Sequence, residues 1–384
     1  MKKLLALVMA LAMVCSLAAC GSASSTAPAS TAPGASSAAA PAPSETQPGE
    51  GGRTFGCVVF ASTAQSSQRE ADAFTEYVEA QGDEAIVLYA EGDLQKMLDC
   101  VDDLVSRGVD GIIMQMVTSE PPISMFEELQ AAGIPLALMD GAASNTTEED
   151  GYVLSQVVSY NYGAGVQAAE DLYKRSGGET VNCLVMERPD SESGQDRCDG
   201  FMDTIAKYDN LVLLEHNSTV TDNAEQELDL AASWVNKYDD IGAIFSFHDV
   251  GAMACVQALK AEGRLEGVYV YGVDGNTDAM ESIQNEELTG TVLQQQRAMA
   301  EEAIKDVYTV VNGGTIDHEW YRELDTVLIT SETHCEYIDY CFCCVGWGAW
   351  GGGRPQTARR PPFWQTKRFY DTGADDRWNK LSCG

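Results

Sequence analysis

The run Phe55-Gly56-Cys57-Val58-Val59-Phe60, then Ser67 to Gln81, then Ala85-Ile86-Val87-Leu88-Tyr89, then Leu94 to Arg107, sets the pattern of the chain. Each short apolar run rich in β-branched and aromatic residues reads as a strand. Each longer segment after it, with apolar residues at helical spacing, reads as a helix. The alternation continues through the runs Gly111–Met116, Pro135–Met139, Val153–Val158, Val181–Met186, Leu211–Leu214, Ile241–Phe245, Val268–Val273 and Thr291–Leu293. Helical segments are expected at Ser124–Ala132, Gly165–Arg175, Gly194–Ala206, Ala224–Asn236, Val250–Ala261 and Asp278–Asn285, and a last strand at Thr326–Thr330. Gly82, Gly108, Gly133, Gly177 and Gly263 stand where helices should stop. Strand–helix alternation predicts an α/β fold with parallel sheets covered by helices on both faces. So many strands exceed one open twisted sheet, which predicts two doubly wound lobes.

The chain has 384 residues and carries 24 Lys+Arg against 59 Asp+Glu, a net charge of −35. Residues 1–52 are balanced and residues 336–384 carry a net +2, which leaves −37 on residues 53–335. A body that acidic repels phosphate backbones, which excludes nucleic acid as a partner. Anionic lipid repels it as well, unless a covalent anchor holds it at the membrane.

Such an anchor is legible at the N-terminus. Lys2-Lys3 precede the apolar run Leu4–Leu17, which ends in Leu17-Ala18-Ala19-Cys20-Gly21. This is a signal-peptide layout, too short for a typical spanning helix of ~20 residues. Leu-Ala-Ala-Cys-Gly resembles the bacterial lipobox, which implies lipidation of Cys20 and an extracytoplasmic protein anchored to the cell membrane. Residues 21–52 are almost wholly Ala, Ser, Pro, Thr and Gly and read as a disordered tether. As a flexible chain it would reach roughly 30 Å. From about Tyr340 the composition changes to Cys341, Cys343, Cys344, Arg359-Arg360 and four of the six tryptophans. Periodicity and charge sign change there together, so residues 336–384 are expected to be disordered or the product of a frameshift, with no function.

In doubly wound folds ligands bind at the carboxyl ends of the strands. Those ends carry Ser62–Ser67, Asp140, Tyr160-Asn161, His248-Asp249, Asp274 and Gln294-Gln295, with Arg197 at the start of a second-lobe helix. A ring of hydroxyls is matched by carboxylates that accept from adjacent hydroxyls and by Arg, Asn and Gln that donate back. Asp140 and Asp274 suit the first role, and Arg197, Asn161 and Gln294 the second. Each aspartate also has the alternative of capping the next helix. Arg197 has that of a solvated residue paired with Asp196 or Asp199.

Gly133-Ile134-Pro135-Leu136 leading to Met139-Asp140, then Arg197-Cys198-Asp199-Gly200-Phe201, then Tyr271-Gly272-Val273-Asp274-Gly275 occur in that order. From about Thr54 to Ile329 the chain resembles the ribose- and galactose-type periplasmic sugar-binding proteins of ABC transporters. The resemblance implies a type I periplasmic binding protein, with a hinge of three crossings near Tyr160, Gln294 and Glu323 and the ligand enclosed between lobes. The expected first lobe is residues 53–160 with 295–322, and the second 161–294 with 323–335. Three departures bear on the solute. Ser66 and Ser67, beside Gln65 and Gln68, stand where ribose-binding proteins have aromatic residues. His248 replaces an amide. Tyr160 replaces an aspartate, and either packs at the hinge or supplies an aromatic face. The ligand site is thus expected at Ser66, Ser67, Asp140, Tyr160, Asn161, Arg197, His248, Asp274 and Gln294, for a monosaccharide or related polyol.

Nothing in the sequence points to catalysis, a metal or a cofactor. His216, His248, His318 and His334 lack metal-ligand spacing, and no nucleophile-elbow, dinucleotide or phosphate-loop motif is present. Repressor effector domains of the LacI type share the fold, but the exported N-terminus and the lack of a basic region argue against that reading. The expected function is solute capture by a monomer and delivery to ABC permease subunits; the alternative is a lipidated sensor for a membrane signalling protein. Of the body's cysteines at 57, 100, 183, 198, 255, 335 and 341, Cys57 and Cys183 read as small buried hydrophobes, and no disulfide framework is legible.

Overall fold

A computed structural model describes residues 52–189, 191–218 and 224–333. The expectations for Cys20, for the tether up to residue 51 and for residues 334–384 lie outside the described residues.

The first sheet is built from β1 (Thr54–Val59), β2 (Glu84–Tyr89), β3 (Gly111–Met114), β4 (Leu136–Met139), β5 (Gln156–Ser159) and a late strand, β11 (Tyr321–Leu324). The second contains β6 (Val181–Glu187), β7 (Leu211–Ser218), β8 (Ala243–Ser246), β9 (Tyr269–Asp274), β10 (Gly290–Leu293) and β12 (Val327–Thr330). Their spatial orders are β11-β5-β4-β3-β1-β2 and β12-β10-β9-β8-β6-β7. Each lobe therefore repeats the same doubly wound arrangement, with a switch point between its first and third strands. Pairing is parallel throughout the first sheet. In the second, only the β10–β12 pair is antiparallel.

The helices are α1 (Gln65–Ala80), α2 (Leu94–Arg107), α3 (Ile123–Ala132), α4 (Asn161–Ser176), α5 (Glu192–Ile205), α6 (Ala224–Lys237), α7 (Asp249–Ala261), α8 (Thr277–Gln284) and α9 (Gln296–Val311). Because helices cover both faces of each sheet, the central strands are apolar on both sides. Phe55, Cys57, Val59, Ala137 and Met139 pack towards α1 and α9, while Val58, Ile112, Leu136 and Leu138 pack on the other face. The second sheet divides in the same way. Cys57, Cys183, Cys198 and Cys255 are buried free thiols within these layers.

The chain passes between lobes at Tyr160, at Gln294-Gln295 and at Asp325-Thr326, and hydrogen bonds tie the crossings together. The Tyr160 N–H donates to Leu324 O (2.9 Å), and Gln295 Nε2 donates to Asp325 O (2.6 Å). Gln167 Nε2, on α4, donates to Thr326 Oγ1 (2.8 Å). The third crossing lies two residues beyond the expected Glu323, because Glu323 still pairs with Val158 in the first sheet. Two elements had no counterpart in the sequence pattern. β11 is a short polar edge strand, and α9 returns the chain to the first lobe to pack against α1.

Candidate functional site

The second-lobe wall is a network centred on Arg197. Its guanidinium sits on α5, which lies unusually close to α4: a Cβ at Gly200 would fall 2.1 Å from Tyr162 O, and one at Gly165 would fall 2.0 Å from Arg197 O. These two glycines let the helix backbones touch, which brings Arg197 beside Asn161 at the start of α4. Arg197 is 6% exposed. Its Nε donates to Asn161 Oδ1 (2.9 Å), and its Nη1 donates to Phe247 O (2.9 Å) and to Asp274 Oδ1 (3.3 Å). Gln294 Nε2 donates to the same Asp274 oxygen at 2.7 Å. Asn161, Arg197, Asp274 and Gln294, all expected from the sequence, thus form one continuous network. The solvated alternative for Arg197 is excluded by its burial.

Behind Asp274, the loop that follows it is held by Asp249, which is 1% exposed. Asp249 accepts from the Asn276 N–H (2.7 Å) and from Thr291 Oγ1 (2.6 Å), fixing the loop between β9 and α8. Burial, and next the Asp274 charge, push the Asp249 carboxyl well above the ordinary range.

The first-lobe wall is different in kind. Asp140, at the end of β4, accepts from Gln115 Nε2 (2.6 Å), and Gln115 Oε1 accepts from Ser67 Oγ (3.2 Å) and from the Phe60 N–H (2.9 Å). Gln115 follows β3 and Phe60 follows β1, so this relay spans the switch point of the sheet. Ser67 is wholly buried, and its hydroxyl faces Gln115 and the Ala61 N–H (3.4 Å). Ser66 keeps partial exposure on the first turn of α1. Burial raises the Asp140 carboxyl; the Arg197 charge opposes this, and the Asp274 charge reinforces it. Asp140 and Asp274 adopt φ of 57° and 121°, conformations that side-chain-bearing residues rarely hold and that concentrate at functional sites. Neither caps a helix: α8 starts from Asn276, and no α-helix follows β4 before β5.

His248 instead takes the capping role. Its Nδ1 accepts from the Gly251 N–H (3.3 Å) at the start of α7, its Nε2 lies 3.4 Å from Oε1 of the buried Glu227, and its ring stacks on Phe247. Both ring nitrogens are therefore engaged inside the second lobe. Tyr160 precedes α4 at the first crossing, its ring packed so closely over Gly163 that a Cβ there would fall 2.2 Å from it.

Four participants, Gln115 in the relay above and three more, were not among the site residues expected from the sequence. Arg69 on α1 reaches across the cleft, donating to Asp274 O (3.1 Å), Gly275 O (2.7 Å) and Gln296 Oε1 (3.4 Å). Gln65 accepts from both the N–H and the hydroxyl of Thr277 (2.9 Å each). Glu70, fully buried, lies against Asp140. A carboxylate on the same helical stripe as Phe74, Ala73 and Val78 was the available signal for Glu70. A glutamine ending an otherwise apolar strand was the signal for Gln115.

Comparison with known proteins agrees with this geometry. Residues 57–315 match the model of a periplasmic binding protein domain. The chain is 30% identical over 263 residues to a D-apiose import binding protein of Paraburkholderia graminis, covering 68% of this chain and 82% of that protein. It is 26% identical over 232 residues to a ribose import binding protein of Bacillus subtilis, covering 60% and 73% of the two chains. A periplasmic solute-binding protein of an ABC transporter from Actinobacillus succinogenes, solved with bound D-allose, superposes with a TM-score of 0.69 at 20% identity, over 74% of this chain and all of that one. Two doubly wound lobes, a three-crossing hinge and a polar network at the facing strand ends thus meet a family model that spans most of the described body, and the chain belongs to the periplasmic binding protein family.

Proposed function

We propose that the protein captures a neutral polyhydroxylated solute, a monosaccharide or related polyol, between its lobes and delivers it to the permease of an ABC importer. The observation that carries this is the linked set Asn161–Arg197–Asp274–Gln294, faced by Asp140. Carboxylates and amides fixed at both walls offer the paired acceptors and donors that adjacent hydroxyls require. Import binding proteins of sugars among the relatives favour transport over signalling. The protein acts as a monomer and leaves the solute chemically unchanged. Lipidation of Cys20 holds it at the outer face of the cell membrane.

The reading is tested by isothermal titration of the full chain with D-apiose, D-ribose, D-allose, xylitol and myo-inositol. Saturable 1:1 binding of at least one, with compaction in small-angle scattering, is the expected result. Absence of binding across the panel overturns it.

A further inference from the structure

We propose that Glu70 carries a proton that it donates to Asp140 in the closed cleft, so that capture of a neutral solute takes up one proton. This rests on the solute-binding reading above and adds a linkage to it.

Glu70 and Asp140 bring two carboxyl groups together inside the first lobe. Glu70 is 0% exposed, and no donor of the described residues reaches either of its oxygens. Its carboxyl nonetheless sits at hydrogen-bonding contact with that of Asp140. Two carboxylates cannot hydrogen-bond to one another unless one is protonated. Asp140 already accepts from Gln115 Nε2 and faces the charge of Arg197, so it is the partner better able to stay ionised. Glu70 therefore holds the proton and turns its O–H towards Asp140, fixing that carboxylate for the solute.

The surrounding charges agree. From its own helix, Arg69 is the cation beside Glu70, but its guanidinium is spent on Asp274 O, Gly275 O and Gln296 Oε1. From β1, Cys57 faces Glu70 as a buried thiol. From β9, Asp274 adds a second negative charge, and from α5 Arg197 acts on Asp140. Burial first, then the Asp140 charge, push the Glu70 carboxyl well above the ordinary range.

Closure creates this state. The first turns of α1 meet the second lobe through Gln65–Thr277 and Arg69–Gly275. Separating the lobes breaks these bonds, withdraws Asp274 and admits water to the Glu70–Asp140 pair, so Glu70 ionises at a lower pH in the open form. Between the open and closed values, binding takes up a proton, and affinity falls as pH rises, by at most about tenfold per pH unit for one proton.

The test uses the full chain, with the panel member of highest affinity as probe, titrated from about pH 5.5 to about pH 8.5. Wild type is expected to lose affinity about tenfold over that range, with binding enthalpies in phosphate and Tris that differ by the proton taken up. Glu70→Gln donates a permanent N–H to Asp140 and should flatten both dependences while still binding. Parallel pH profiles for the two proteins overturn the inference and leave the solute-binding reading standing, as does equal enthalpy in the two buffers for wild type. Binding of no panel member overturns both.

Discussion

The two walls of the cleft are built to opposite plans. On the second lobe, Arg197 satisfies Asn161, Phe247 O and Asp274 at once, and Gln294 adds a second donor to Asp274, so the wall is set before any solute arrives. On the first lobe, Asp140 is held by a relay of amide and hydroxyl from β3 and α1, and behind it lies Glu70, a buried acid without a donor. A preset wall gives orientation at low entropic cost. A wall whose charge depends on closure gives a means of coupling affinity to conditions. The largest expected losses therefore lie on the second lobe.

Arg197→Ala is the sharpest way to break the second wall. It removes three hydrogen bonds and leaves Asp274 in an enclosed site without its cation, at a cost of about 1–3 kcal/mol for each unsatisfied group. Solute affinity should fall at least about a hundredfold by isothermal titration, where tenfold corresponds to roughly 1.4 kcal/mol. The melting temperature should fall too, because Phe247 O, a strand-end carbonyl of the second lobe, loses its donor. Retained affinity would place the solute elsewhere.

The same contrast explains what was legible beforehand. Strands buried on both faces leave unbroken apolar runs, so the alternation and the repeated lobe could be read directly. β11 could not, since Tyr321–Leu324 alternates between exposed and part-buried residues at a sheet edge. At the site, Asp274, Arg197 and Gln294 stand at strand ends or beside a glycine-dependent helix contact, where the surrounding motif marks them. Glu70 and Arg69 lie within the body of an ordinary-looking helix, and Gln115 closes an apolar run that reads as plain core. Their roles follow only from what the fold brings against them: Asp140 for Glu70 and Gln115, and the β9 end for Arg69. His248 shows the converse, a residue at a promising position whose nitrogens the fold uses locally.

Arg69→Met tests the contact between the walls. The aliphatic stem is kept while the bonds to Asp274 O and Gly275 O are lost, both of which exist only when the lobes meet. Affinity should fall about three- to tenfold, a loss of one or two hydrogen bonds offset by water in the open form. The radius of gyration of the solute-saturated protein should rise towards that of the open form, whereas an unchanged radius with unchanged affinity would make the contact incidental.

Ser67→Ala addresses the relay behind Asp140. The buried hydroxyl donates to Gln115 Oε1, which keeps a second donor in the Phe60 N–H. The amide therefore stays oriented, and affinity should drop only about two- to fivefold, within one neutral hydrogen bond. A larger loss would mean that the hydroxyl meets the solute itself, in place of an aromatic platform.

The smallest effect on affinity is expected from His248→Asn. Asparagine caps a helix as well as any residue, so the start of α7 keeps an acceptor for the Gly251 N–H. It is too short to place a donor where Nε2 meets Glu227, a carboxylate with no solvent contact, and it removes the ring stacked on Phe247. The cost thus falls on the second lobe's interior, as a melting temperature lower by about 2–6 °C, and affinity should stay within about threefold of wild type. Measuring both on the same samples separates the two roles. A stable His248→Asn protein with affinity down tenfold or more would mean that the imidazole ring faces the solute and that the second wall extends further along the β8 end than its hydrogen bonds indicate.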